Sequence, residues 1–192
     1  DTSTVIATHV SQIVQDHAAD LFGHDEAQQL LDGLAKTSPK LVEDLIPNVV
    51  PLTTVVKVMQ NLLREKVSVR DVRTILEVLS EHGPKGQDSG ALTAAVRVAL
   101  GRAIVQQING LDEELPIMTL DPTLEQILQQ SVEATTENGP AIEPGLANRM
   151  LQSLKEAHEN QEMNGGPSVL LVPDSLRSLL ARLVAHSVEG LH

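Results

Sequence analysis

The run Asn61 to His82, NLLREKVSVRDVRTILEVLSEH, narrows the choice of fold more than any other stretch of the chain. Leading into it, Leu52, Val55, Val56, Met59, Leu62 and Leu63 recur at three- and four-residue steps and form one apolar stripe on a helix. After the turn Glu65-Lys66-Val67, a second stripe follows: Val69, Val72, Ile75, Leu76 and Leu79. Arg70, Asp71, Arg73, Thr74, Glu77 and Glu81 take its wet side. Ser68, ahead of Asp71, is the expected N-cap, and Gly83-Pro84 the stop. Two amphipathic helices joined this tightly must fold back and share their apolar faces. The unit is therefore a helical hairpin whose charged ridge faces water or a partner.

The core available to such a hairpin is aliphatic, because Phe22 is the only aromatic residue. Leu, Ile, Val and Ala suit ridge-into-groove helix packing, and the side chains that stack bases or sugars are missing. The formal charge of −12 speaks against nucleic acid and against direct contact with an anionic membrane, since both draw affinity from Lys and Arg. Between Ala103 and Gly166 the only basic residues are Arg149 and Lys155. That acidity reads as a soluble, self-repelling surface or as a face for a basic partner. There is no cysteine, hence no disulfide or thiolate ligand, and the opening DTSTVIATH lacks the pattern of a signal peptide. A chain of 192 residues holds one good-sized domain or two small ones.

Taken in order, residues Thr4 to Phe22 read as one helix, with Ile6, Val10, Ile13, Val14 and Leu21 on one side and the pair Val5–Thr8 off that stripe. Starting almost at the first residue, it reads as the cut end of something longer. Asp25 is the expected cap of a helix through Ala35, and Ser38-Pro39 starts another. Asp88 or Ser89 begins a long helix that turns Leu92, Ala95, Val96, Ala99, Leu100, Ala103, Ile104 and Ile108 inward. Gly101 lies inside it, and close approach of a neighbouring helix is its expected reason, ahead of a hinge.

The texture changes after Gly110. Leu111 to Glu114 is an acidic linker, Leu115 to Leu120 a short strand, and Asp121-Pro122 the start of a helix to Glu133. Thr135 to Pro140 is a loop by composition, and Pro144 opens a helix to about Met163. Val169 to Val172 is the strongest strand, read as buried, and Asp174 caps the last helix. A further strand would fit at Leu191-His192, so this end also reads as cut. The fold class is mainly α: an all-α helical subdomain followed by a small α/β subdomain with a short, incomplete sheet. Residues 1–22 form the terminal helix of a preceding subdomain, 23–110 the all-α subdomain and 111–192 the α/β subdomain.

Catalytic constellations do not emerge. Gly83-Pro-Lys-Gly lacks phosphate-cradle spacing, and no Gly-x-Ser-x-Gly turn places a nucleophile. His158-Glu159 followed by Glu162 puts a glutamate where a metal helix needs its second histidine, so these residues read as a solvated helix face. No cofactor, metal or catalytic residue is expected, and an enzyme is not expected. A free-standing helical protein-interaction adaptor fits the composition.

Several blocks in the same order carry a resemblance: TVIATH, QNLLREKVSVRDVRTILEVLSEH, LTAAVRVALGRAIVQQ and MTLDPTLEQIL. They resemble the FlhA/InvA/MxiA family of type III secretion export-gate proteins, in wording flagellar rather than injectisome. The likeness spans nearly the whole chain and is weakest from Ser131 to Ala141. It implies a non-catalytic cytoplasmic domain of an inner-membrane protein, forming a nine-membered ring that docks flagellar export chaperone–substrate complexes and meets other export-apparatus proteins. The chain would hold the last helix of that domain's first subdomain, its all-α third subdomain and most of its fourth. By this resemblance Val5 and Thr8 are half of a chaperone-docking dimple, and the all-α subdomain takes part in ring assembly; the charged ridge of Arg70, Asp71 and Arg73 reads as a solvated helix face or as a ring contact. The isolated chain is expected to be monomeric.

Overall fold

The computed structural model describes residues 2–112, 114–134, 142–185 and 187–192. The loop expected at Thr135 to Pro140 lies outside them, as does Glu113 of the acidic linker. The chain divides into two compact units, 1–105 and 106–192.

The first unit runs α1 (Thr2–Asp16), α2 (Ala18–Leu21), α3 (His24–Ala35), α4 (Pro39–Leu45), α5 (Leu52–Arg64), α6 (Val72–His82), a 3₁₀ turn (Gly83–Lys85), α7 (Ser89–Ala99) and α8 (Gly101–Asn109), which crosses the division. The two helices expected to form a hairpin are α5 and α6; they contribute to one core but do not pack chiefly on each other, since α6 lies against α3, α4 and α7. That core is aliphatic: Leu31, Leu45, Val55, Met59, Leu62, Ile75, Leu76 and Leu79 are buried together. Burial of α5 is wider than a single stripe, since Thr54 and Val58 are also enclosed. It packs against α2, α3 and α7, and is the helix the unit is built around.

Its far end closes in a Schellman turn. The amide of Lys66 donates to Leu63 O (2.9 Å) and that of Val67 to Leu62 O (2.9 Å), with Lys66 at φ 56°. Glycine is the usual occupant of that position, and a side chain there costs about 1–2 kcal/mol. The cap of α6 is Asp71, not Ser68: its carboxylate accepts from Thr74 N (3.1 Å) and Thr74 Oγ1 (2.7 Å). A carboxylate one residue before the helix reaches the orphan amides, whereas Ser68 is too far upstream and meets Arg70 N instead (3.4 Å). At the other end of α6, a Cβ on Gly83 would stand 2.8 Å from Val50 Cγ1 and 3.0 Å from Val49 Cγ1, so any side chain there would have to displace these valines.

Other expected caps and spans shift for local reasons. The amide of Gly23 donates to the Glu26 carboxylate (2.8 Å), so Glu26 rather than Asp25 closes the start of α3. That bond and the carboxylate's bond to its own amide hold the Glu26 carboxyl below its ordinary value. The helix read as continuous from Ser89 breaks at Leu100 into α7 and α8. A Cβ on Gly101 would meet nothing within 4 Å, which removes close approach as its reason. Ala99 and Ala103 are exposed, and Thr93 is buried in their stead, its hydroxyl donating to Ser89 O (2.6 Å).

The second unit contains β1 (Met118–Thr119), α9 (Pro122–Glu133), α10 (Pro144–Met163), β2 (Leu170–Leu171) and α11 (Asp174–Val184). Asp121 caps α9 through Thr123 N (2.9 Å) and Leu124 N (3.3 Å). Asp174 makes no side-chain cap and is the first residue of α11. The strands pair in parallel, Met118 with Leu170 and Thr119 with Leu171. At the opposite edge of β2, Leu170 N donates to His192 O (2.8 Å) and His192 N to Ser168 O (2.9 Å). Leu128, Met150, Leu154, Leu176 and Leu180 form the core, which Leu170 joins. Leu171 is 57% exposed, so β2 alternates as a one-sided strand and is not enclosed as expected. His158, expected on a solvated face, is buried: Gly190 (φ 85°) passes so close that a Cβ there would stand 3.3 Å from its ring.

Candidate functional site

The sequence of α1, TSTVIATHVSQIVQD, is rich in β-branched residues, which propagate helix poorly on their own. Its threonines can bond backward along the helix, and Thr8 does so, Oγ1 donating to Thr4 O at 2.9 Å. That directs the hydroxyl proton back into the helix; Thr8 is exposed, and so is Val5 beside it, at 67%. Ile6, Val10, Ile13 and Val14 are also about half exposed or more, so no side chain from Ser3 to Asp16 is buried. The single helix expected to Phe22 ends at His17, whose backbone (φ −104°, ψ 12°) leaves the helical region before α2. Ala19 and Phe22 are buried, and Gln60 Nε2 donates to Phe22 O (2.8 Å).

Thr8, Gln12 and Asp16 are spaced four apart and therefore make one row, with Val5 alongside. Along it, Gln12 Nε2 donates to Asp16 Oδ1 (3.2 Å), and Asp16 Oδ1 pairs with Lys66 Nζ (3.2 Å). The Gln12 hydrogen bond first, then the bond to Lys66, hold the Asp16 carboxyl below its ordinary value. Lys66 and Asp16 were not singled out from the sequence. The legible signal was a helix ending at Arg64 in a tight turn without a glycine.

The other predicted residues sit at the start of α6. Asp71 caps that helix. Arg73 bonds Ser38 Oγ through Nη2, tying α6 to the start of α4, and its Nη1 lies 3.5 Å from Glu77 Oε1. Arg70 is exposed. The turn ahead of them is pinned to α7 by Glu65 Oε2 and Arg97 Nη1 at 2.7 Å, both well shielded from solvent. The Val5–Thr8 pair and the Arg70–Arg73 ridge are thus separate places, linked through the Lys66 turn. No group of three or more His, Cys, Asp or Glu is placed to hold a metal ion among the described residues. Among them, too, no helix is long and apolar enough to cross a membrane.

Three known proteins place this geometry. The flagellar biosynthesis protein FlhA of Escherichia coli (strain K12) is 52% identical over 191 residues, which cover 100% of this chain and 27% of that protein. The chain thus spans about a quarter of that relative's length. Among solved structures, a nonameric SctV-C from EPEC matches with a TM-score of 0.84 at 25% identity, over 97% of this chain and 56% of that one. The Chlamydia pneumoniae CdsV protein, in a complex with CdsO, matches with a TM-score of 0.86 at 24% identity, over 100% of this chain and 56% of that one, a likeness of fold. The FHIPEP family model matches residues 1–192, and the chain belongs to the FHIPEP family.

Proposed function

We propose that this chain is part of a non-catalytic docking platform of the flagellar type III export gate, on the cytoplasmic face of the inner membrane. Chaperone–substrate complexes dock on the α1 face that carries Val5 and Thr8. The observation that carries this reading is the back-bonded Thr8 hydroxyl, its proton turned into the helix, beside an exposed valine. Val5 and Thr8 lie off the main apolar stripe of α1, and both are exposed. The whole-chain likeness to the E. coli relative supports the flagellar assignment. The SctV-C nonamer and the CdsV–CdsO complex support a homo-nonameric ring and partners within the export apparatus.

Thr8→Asp puts a charge into an apolar contact, which costs about 1–3 kcal/mol when no partner awaits it. In the complete cytoplasmic domain, calorimetric titration with a flagellar export chaperone loaded with filament-type cargo should show affinity falling by about 10- to 100-fold. Equal affinity overturns the reading.

Ring assembly engages the ridge of Arg70, Asp71 and Arg73. Asp71 and Arg73 also serve within their own fold, so Arg70→Glu tests the ridge without disturbing the α6 cap or the contact to Ser38. Sedimentation of an assembling cytoplasmic domain should shift toward monomer; an unchanged ring sets the ridge aside. The 192-residue chain alone sediments as a monomer.

A further inference from the structure

Asn109, the last residue of α8, folds back the acidic segment that follows it. Its Nδ2 donates to Asp112 O (3.0 Å) and to Glu114 O (3.0 Å), so both hydrogens of one amide are spent on two carbonyls of that segment. The backbone turns the same way: Asp112 N donates to Asn109 O (3.2 Å), and Gly110 takes φ 62° with its amide on Gln106 O (2.9 Å). A left-handed glycine is an ordinary helix end, but the side-chain bond to Glu114 reaches five residues on and holds more chain than an end needs.

The sequence of the segment favours the opposite state. Asp112, Glu113 and Glu114 are three consecutive acids, and like charges in a linker repel and extend it. The segment also joins two anchored pieces of chain. Ile104 of α8 packs against the aliphatic core of the first unit. Three residues after Glu114 separate it from β1, where Met118 pairs with Leu170.

We propose that Asn109 is a positioning residue: its amide clasps Asp112 and Glu114 against their own charge repulsion and makes a fixed connection from α8 into β1, which its release turns into a longer tether. The inference rests on these bonds and not on the docking reading.

The test uses the complete cytoplasmic domain with Gln106→Cys on α8 and Gln130→Cys on α9 as its sole cysteines. Both positions are exposed and belong to the second unit, so spin labels there report the path of the segment as a distance distribution. Asn109→Asp keeps the size of the side chain but turns a group that only accepts toward two carbonyl oxygens. It should broaden the distribution and shift it to longer distances, with Asn109→Ala doing so less. Loss of two neutral hydrogen bonds should speed cleavage of Asn109→Ala after Glu114 by a glutamate-specific protease about 10-fold, because cleavage follows the open fraction. The melting temperature should stay level, since neither hydrophobic core includes Asn109, Asp112 or Glu114.

Raised salt should narrow the Asn109→Ala distribution by screening the repulsion, and Asp112→Asn with Glu114→Gln in that background should do the same at low salt. A residue that only ends the helix would lower the melting temperature and leave the distances as they were. That result, or wild-type width and cleavage in both variants, overturns the clasp. A broad distribution that ignores both salt and charge removal overturns the part played by repulsion.

Discussion

Helices α1 and α5 belong to the same compact unit, and both carry aliphatic residues at helical spacing. Val55, Met59 and Leu62 of α5 are fully buried, whereas Val10 of α1 is 53% exposed and Val5 67%. A hydrophobic period announces that a face can be covered; it does not say by what. For α5 the cover is α2, α3 and α7. For α1 it is, on our proposal, a partner. The contrast separates a support from the surface it holds out.

Substitutions sharpen that contrast. Leu62→Ala opens a cavity in the aliphatic core and should destabilise the chain by about 2–5 kcal/mol, read from urea unfolding. The matching deletion on α1, Val10→Ala, should stay within about 0.5 kcal/mol of wild type. If it cost as much as Leu62→Ala, α1 would be part of the core. Between these extremes, Asp71→Ala removes the α6 cap and should cost about 1 kcal/mol, with Asp71→Asn largely restoring it.

The smallest effect concerns pH. The Glu26 carboxyl titrates below its ordinary value of 4.5 because the Gly23 amide and its own amide favour the charged form. Its contribution is thus fully present above that ordinary value and is lost as pH falls through the lowered one. Glu26→Gln should flatten that part of the acid limb of a stability–pH curve and leave the neutral region nearly level. An identical acid limb would show that the cap bond does not couple to folding.

The parts of the fold legible in the sequence were those where punctuation and period agree. Asp121-Pro122 and Pro144 marked the starts of α9 and α10 because cap chemistry and proline's fixed φ act locally. The parts that were not legible depend on neighbours. Ser68 and Asp71 are both capping residues, and the helix begins at Val72, within reach of Asp71 alone. Gly101 is the one mark in VALGRA of the break at Leu100, whose amide still bonds Val96 O (2.9 Å) while its own carbonyl accepts from Ile104 N (2.9 Å). His158 looked solvated because Gly190, which passes close to its ring, is distant in sequence. For the candidate site, the periodicity separated Val5 and Thr8 from the neighbouring stripe. The Lys66–Asp16 contact was hidden because its partners lie 50 positions apart in sequence.

Amide hydrogen exchange along α1 of the complete cytoplasmic domain, with and without a cargo-loaded flagellar chaperone, tests the docking surface most directly. The account predicts slowing centred on Val5 to Gln12 while the already protected α5 amides stay unchanged. Exchange along α1 that is the same with and without saturating chaperone would contradict it.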